Sequence, residues 1–524
     1  MIEPTRGTVL DPACGSGGMF VQSAHVVERR HARPAEQLTF YGLEKNPTTI
    51  RLAKMNLAVH GLEGDIQKAI SYYDDPHELL GKADYVMANP PFNVDEVDAD
   101  KIKRDPRLPF GLPGVNKSGK VSNGNYLWIS YFYSYLGPRG RAGFVMSSQA
   151  SSAGRDEAKV RQKLVETGAV DAMIAIRSNF FYTRTVPCEL WFLDRAKPAA
   201  RRDKVLMLDA RNVYRKVTRK VYDFSPEQQQ NLLSIVWLHR GEKDRFLALV
   251  ASHLERTLRE ADACAAPLGA FTSALDALHA VLAPFLKRRA AACGTPSRLS
   301  GAPRDGAATS AGPTADLTES LAEWTAGRKS FAADVAAFRT ALASEQKAWA
   351  KTRPAAPALV AATARLAPLA ETSRDLVKQA DHLYKLASRL ADGCAEAEKE
   401  NPKWSGRDAN KAQKAADAAR HDVVEQLKLV RYFQKNAAWL TERFPDAELR
   451  DVEGLVKLVD RKEIEANDGS LTPGRYVGVA PEAVDEDFDF EETLRDIHVE
   501  LTDLNAEAVK LAKKIAKNFE ELGV

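Results

Sequence analysis

Thr8-Val9-Leu10-Asp11-Pro12-Ala13-Cys14-Gly15-Ser16-Gly17-Gly18 is the stretch on which the reading of the fold turns. Thr8 to Leu10 is a short apolar strand. Asp11-Pro12 and the small residues after it end that strand. From about Met19 to Arg30, Phe20, Ala24 and Val27 recur on one helical face. A strand, a glycine turn and a helix let backbone approach a bound cofactor closely. The turn is not a phosphate loop, because no Gly-Lys-Ser/Thr follows it.

Downstream, Leu38 to Leu43 reads as a second strand ending at Glu44. A carboxylate at that tip can accept both hydroxyls of a ribose. The plainer alternative is a solvated Glu beside a helix N-terminus, since Asn46-Pro47 opens a helix over about 48–59. Ile66 to Ile70 is the expected third strand and Tyr85 to Ala88 the fourth. The fourth runs into Asn89-Pro90-Pro91-Phe92, where two prolines forbid any further ladder. An amide oxygen, a proline carbonyl and an aromatic ring then stand together at a strand end. Two acceptors and a ring suit a planar –NH2 group and the plane that carries it; an ordinary strand stop is the alternative for the tetrapeptide alone. Helices at 125–136 and 154–166, and strands at 142–146, 170–176, 189–193 and 205–209, complete an α/β domain. Val94 to Gly124 is a long polar loop, of the kind that is usually functional or disordered.

The 524 residues allow two or three domains. Net charge is only +3, so any basic surface must be local, as at Arg104, Arg107, Lys117 and Lys120, or across 211–220. A solvated face is the plain reading of each cluster. The five cysteines are far apart and form no C-x-x-C pair, so neither a metal site nor a disulfide framework is expected, in keeping with a reducing cytoplasm. The N-terminus has no signal pattern and no charge-free apolar run spans a bilayer, so no membrane is expected. Pro187-Cys188 has the form of a cytosine-carbon nucleophile, yet Cys188 opens an apolar strand and reads as a small buried residue.

From about Glu242 strand patterns vanish. Helices are expected at about 245–290, 317–350, 355–398 and 407–441, with a Gly/Pro/Ser/Ala-rich linker near 293–316. An antiparallel bundle without chemistry of its own is the reading. Near the C-terminus, Leu494, Ile497, Leu501, Leu504, Ala508, Leu511, Ile515 and Leu522 follow the 3–4 spacing of a coiled-coil seam, after an acidic connector at 485–492. Internal packing of that helix is the alternative. The expected organisation is a catalytic domain at 1–240, a helical region at 241–454 and a C-terminal segment at 455–524 ending in a partner-docking helix.

Together, DPACGSGG, Glu44 and NPPF resemble the amino-directed, S-adenosyl-L-methionine-dependent DNA methyltransferases. The wording closely resembles the methylation (modification) subunit of type I restriction–modification systems. It continues through Phe110-Gly111, Asn125-Tyr126-Leu127-Trp128 and 140–145, and returns at Asn467-Asp468 and 470–477. The resemblance covers roughly 7–240 and 455–524. It implies a Rossmann-like seven-stranded sheet and methylation of the 6-amino group of a flipped adenine in double-stranded DNA. It implies cofactor contacts at Asp11 and Pro12 near the methionine end, at Ala13, Cys14, Gly15, Ser16, Gly17 and Gly18 under the cofactor, and at Glu44 on the ribose. The target pocket falls on Asn89, Pro90, Pro91 and Phe92. For the cofactor's adenine, Ser71-Tyr72-Tyr73-Asp74 offers Asp74 as the candidate. No metal is implied. The implied partners are a specificity (target-recognition) subunit and a restriction (motor/nuclease) subunit, since no P-D…E-x-K or helicase motif occurs here. The 94–124 loop, following the catalytic strand, is expected to meet DNA.

Two rivals remain. A protein glutamine methyltransferase also presents a planar amide to such a tetrapeptide, but those enzymes usually carry Tyr where this chain has Phe92. A catalytically impaired scaffold would keep the fold, but Asp11, Glu44 and Asn89 are intact. The resembling family also has a helical domain and an aromatic-Thr-Pro segment ahead of the first strand, and neither is found before Thr8. The expectation is an incomplete methyltransferase that binds cofactor weakly when alone.

Overall fold

The computed structural model describes residues 1–180, 185–218, 221–293, 313–399, 401, 403–479 and 490–521. Everything in it is arranged around β1 (Gly7–Asp11), whose Val9 and Leu10 point to opposite faces and are both fully buried. A strand covered on both sides belongs in a parallel sheet sandwiched by helices. Val9 packs with Phe20 and Val27 of α1 (Gly18–Glu28), while Leu10 joins a second cluster on the other face. A short α2 (Pro34–Gln37) leads into β2 (Leu38–Glu44), and α3 (Pro47–Val59) returns the chain to β3 (Gly64–Lys68). Asn46 caps α3 by accepting the Thr48 N–H at 2.9 Å, with Pro47 at the first helical position. β3 begins two residues earlier than expected, because Gly64 already pairs with Phe40.

β4 (Ala83–Ala88) crosses to the other side of β1. The 94–124 stretch that follows is neither loose nor uniformly polar. It contains α4 (Ala99–Ile102) and buries Val97, Ile102, Phe110 and Val121 in the second cluster. Arg107 corrects the expectation of a basic surface there: it is 3% exposed and bonds to Asp105 at 2.6 Å. α5 (Asn125–Tyr135), almost wholly buried, runs straight into the long β5 (Leu136–Ser147). Then come α6 (Arg155–Glu166), β6 (Val170–Ile176), β7 (Cys188–Asp194), β8 (Lys204–Asp209) and a hairpin of β9 (Arg215–Thr218) and β10 (Val221–Asp223).

The helical stretch is α7 (Pro226–Arg240), α8 (Lys243–Ala263), α9 (Ala265–Cys293), α10 (Pro313–Trp349), α11 (Ala356–Ala397) and α12 (Gly406–Arg443). The expected 245–290 helix is thus two, broken at Cys264. Of the expected linker, 294–312 lies outside the described residues and 313–316 is already helical. By length and composition Lys243–Arg288 could cross a bilayer, which the sequence reading did not count. Its Leu254, Phe271 and Leu278 are instead buried in one core shared with Ile174, Leu206 and Leu208 of the sheet.

After α12 the chain returns to the sheet as β11 (Val456–Asp460), antiparallel to β8. The sheet therefore has nine strands rather than seven, in the order β11-β8-β6-β7-β5-β4-β1-β2-β3. β7 runs against its neighbours, as expected of the antiparallel edge, and β8 and β11 extend the sheet beyond it. After β11, α13 (Arg461–Ala466) and residues 467–477 lie over the second cluster, with Leu471 fully buried and its N–H on the Ser151 carbonyl at 2.8 Å. Arg161, 1% exposed, donates to the carbonyls of Gly469 and Ala153, both at 2.6 Å. Leaving two such buried carbonyls unpaired costs about 1–3 kcal/mol each, so this buried cation holds the returning segment on the catalytic part.

The chain forms two compact units, Met1–Gly478 and Val479–Val524. The second contains α14 (Phe490–Glu521). The expected acidic connector lies outside the described residues over 481–489.

Candidate active site

Three neighbouring parallel strands, β4, β1 and β2, end at Ala88, Asp11 and Glu44. Leu10 is level with Val86 and Asp11 with Gly42, so Asp11, Glu44 and Asn89 share one rim. Two strand spacings separate the outer pair, about 10 Å. The chain passes to one side of β1 through β2 and β3 and to the other through β4, so the rim lies at a topological switch point, where open α/β sheets bind ligands.

The turn after β1 fits close against β2. Cys14 N–H donates to the Leu43 carbonyl at 3.0 Å, and a Cβ at Gly42 would stand 2.8 Å from Cys14 Sγ. Gly15 (φ 52°) and Gly17 (φ 77°) take left-handed conformations that glycine adopts without strain. A Cβ on Gly15 or Gly18 would meet nothing within 4 Å, so the turn faces open space. Gly17 caps α1 without a side-chain hydrogen bond, and the helix's first N–H groups point from its positive end.

Asp11 is 1% exposed and accepts the Ala13 N–H at 3.0 Å. Burial, reinforced by the charge of Glu44 and opposed by the Ala13 N–H, pushes its carboxyl up to about 7. Asp11 has no ion pair among the described residues. A buried carboxylate without a cation is what a ligand carrying ammonium and sulfonium charges would need, and an open glycine turn lies beside it. Glu44 Oε1 accepts the Asn46 N–H at 2.9 Å, and no contact within the chain engages the second oxygen, which suits a diol. The residues therefore fit S-adenosylmethionine. Asp74 is exposed and directs one carboxylate oxygen to the Ile70 N–H at 3.1 Å, closing its own turn. Ser71 Oγ donates to the Pro12 carbonyl at 2.5 Å, tying the turns after β3 and β1 together.

Asn89 is exposed and its side-chain amide makes no hydrogen bond among the described residues; Pro90 is buried, Pro91 exposed, and Phe92 half-buried against the second cluster. A latch that sequence reasoning missed fixes this segment. Asn93, at φ 57°, donates its N–H to Asn125 Oδ1 at 2.9 Å and accepts from Asn125 Nδ2 at 2.9 Å and from Asn123 Nδ2 at 3.2 Å. Asn125 is 1% exposed. The signal was present in Asn123-Gly124-Asn125, which helped carry the resemblance without being given a role. Arg107 was also missed: it donates to the Ser71 and Asp74 carbonyls at 3.0 and 3.1 Å and stacks on Tyr131 at 4.5 Å, fixing the loop after β3.

Cys188 is buried, and burial with nearby Glu189 pushes its thiol up to about 11, far from a reactive thiolate. Among the described residues no group of three or more His, Cys, Asp or Glu is placed to hold a metal.

The sequence model described as N-6 DNA Methylase matches residues 1–255. The Type I restriction enzyme MjaIX methylase subunit of Methanocaldococcus jannaschii is 42% identical over 42% of this chain and 39% of its own length. The HindI methylase subunit of Haemophilus influenzae is 33% identical over 43% of this chain and 50% of its own. A solved methyltransferase subunit of a type I restriction-modification system from Streptococcus thermophilus is 24% identical, covers 44% of this chain and 48% of that one, and has a TM-score of 0.39. The chain thus spans no more than half the length of these curated relatives. The N-terminal half of the chain matches the N-6 DNA methylase family, and the relatives that align with it are methylase subunits of type I restriction enzymes.

Proposed function

We propose that the chain is the modification subunit of a type I restriction–modification complex, a cytoplasmic enzyme that transfers methyl from S-adenosylmethionine to the 6-amino group of adenine in duplex DNA. The observation that carries this is the single rim holding Asp11, Glu44 and Asn89 on adjacent parallel strands. Asp11 would face the cationic methionine end, the glycine turn would lie beneath the cofactor, and Glu44 would take the ribose hydroxyls. The cofactor supplies an electrophilic methyl on a positively charged sulfur. The target base must leave the stack to reach the rim. Asn89 Oδ1 and the Pro90 carbonyl accept the two amino protons, which favours lone-pair density on nitrogen, and Phe92 stacks on the ring. Neither acceptor is a base, so the proton lost as nitrogen gains carbon leaves to water. Positioning and electrostatics carry the rate. Expressed together with the genes beside its own, the chain should leave N6-methyladenine in host DNA, read by nucleoside mass spectrometry. Methyl on cytosine or only on protein would overturn the assignment.

The partner side of the proposal rests on α14. Leu494, Ile497, Leu501, Leu511 and Ile515 of the seam are about half exposed (55, 47, 54, 57 and 48%). The side chain of Leu504 and all of Leu522 lie outside the described residues. We assign this stripe to docking on a helix of a specificity subunit, with a restriction subunit joining that assembly. Deleting 493–524 should leave the first unit folded and abolish co-purification with the specificity subunit; normal assembly of the truncated chain would show that the stripe serves something else.

A further inference from the structure

We infer that the β9–β10 hairpin is a phosphate-contacting finger that grips the backbone of the duplex presenting the target base; this rests on the DNA methyltransferase reading above. The hairpin is built to be held rigidly and to project cations. Its feet are fixed on the segment that leaves β6. Arg177, the first residue after that strand, lies between two rings, with its guanidinium 4.4 Å from the Tyr214 centroid and 4.8 Å from that of Tyr222. Tyr222 N–H donates to the Asn179 carbonyl at 3.0 Å, and Phe180 packs on Phe224 at 4.7 Å. Beyond these anchors all four residues of β9, Arg215 to Thr218, are exposed. Nothing apolar is covered by this arrangement: an internal guanidinium–aromatic stack supports a strand that faces only solvent.

Position and charge identify the occupant. β6 runs parallel to β4, with β7 and β5 between them, so Arg177 leaves the same rim as Asn89, three strand spacings away. That is about 14 Å, or about four steps of a duplex at 3.4 Å each. Residues 211–220 hold five cations (Arg211, Arg215, Lys216, Arg219, Lys220) and no carboxylate. The 94–124 stretch, the other candidate for meeting DNA, holds six cations against five carboxylates, and Lys103, Arg107 and Lys120 are paired with Asp100, Asp105 and Asp98. In the hairpin Arg215 pairs with Asp223 at 2.7 Å in full solvent exposure, an ion pair that a phosphate can replace at little cost. Lys216 has no ion pair among the described residues. A strand of exposed cations beside the rim complements phosphates, whereas base edges would call for amide side chains set at the site.

Binding of the full 524-residue chain to a labelled adenine-containing duplex, followed by anisotropy at rising salt, tests this. Each phosphate contact contributes about 0.9 to the slope of log K against log salt. Lys216→Gln and Arg215→Gln should each reduce that slope by about one such contact and weaken all sequences alike. Lys117→Gln with Lys120→Gln should leave it unchanged. Lys216→Gln breaks no ion pair, so it reports even if Arg215→Gln disturbs the hairpin. An unchanged slope in Lys216→Gln, with salt-dependent binding retained by the parent chain, overturns the finger and leaves the methyltransferase reading standing. A parent chain with no salt-dependent affinity for DNA overturns both.

Discussion

Asn89→Ala will abolish methylation while leaving cofactor affinity near that of the parent chain. Asn89 stands one residue beyond the end of β4, exposed, with an amide that no other side chain engages. Everything around it, by contrast, is fixed. Pro90 is buried, Asn93 is locked to the buried Asn125, and Gly124 N–H donates to the Val94 carbonyl at 2.7 Å. A side chain left without partners on a rigid support is preorganised for an external group. Losing one preorganised hydrogen-bonding group aimed at developing charge costs about 10²–10³ in kcat. Losing Asn89 also removes the contact that orients the amino group, so the effect should reach or exceed the upper end. Cofactor affinity should be spared, since Asp11 and Glu44 lie on other strands. Single-turnover methyl transfer, with cofactor binding measured by calorimetry, checks both halves. Turnover within tenfold of the parent chain would remove Asn89 from the chemistry. Asn125→Ala should act more mildly and through the same segment, because it frees Asn93 rather than the acceptor.

What the sequence made legible was local and periodic. The strand–turn–helix at 8–30 and the proline stop at 89–92 could be read because each is written in consecutive residues with few backbone options. Glu44 was legible as the tip of an apolar run. The latch was not, because Asn93 and Asn125 meet only after a 31-residue excursion folds back. Arg107 read as a surface cation because burial of an Arg depends on carbonyls brought from elsewhere in the chain, here Ser71 and Asp74. The edge of the sheet was illegible for a similar reason. β11 is five residues long and pairs with β8 across some 250 intervening positions, so no local pattern announces it. Arg161 and the 467–477 segment belong to the same class, with motif wording visible and its destination hidden.

Cofactor affinity should rise about tenfold per pH unit up to about pH 7 and level off above. The cause is Asp11, whose carboxyl is pushed up to about 7 by burial in the free chain. Below that pH the free protein holds Asp11 neutral, and a cationic ligand end beside it requires the carboxylate. Binding then releases one proton, and an affinity linked to one proton changes tenfold per unit. Between about pH 5 and 7 neither the carboxylate nor the amine of the ligand titrates, so the slope belongs to the protein. The stability of the free chain carries the opposite signature. With the folded value raised above the ordinary carboxylate range near 4, the contribution of Asp11 is fully present below that range. It is lost as pH rises towards 7. The ligand should therefore raise the melting temperature more at pH 7.5 than at pH 5.5, by about 2 kcal/mol of binding free energy at equal ligand concentration, as 1.36 kcal/mol per unit implies. Asp11→Asn should bind weakly and without this slope, while melting at a higher temperature than the parent chain near neutrality, since it keeps the shape and removes the buried charge. An affinity independent of pH in the parent chain, or the same slope in the variant, would move the cationic end of the ligand away from β1.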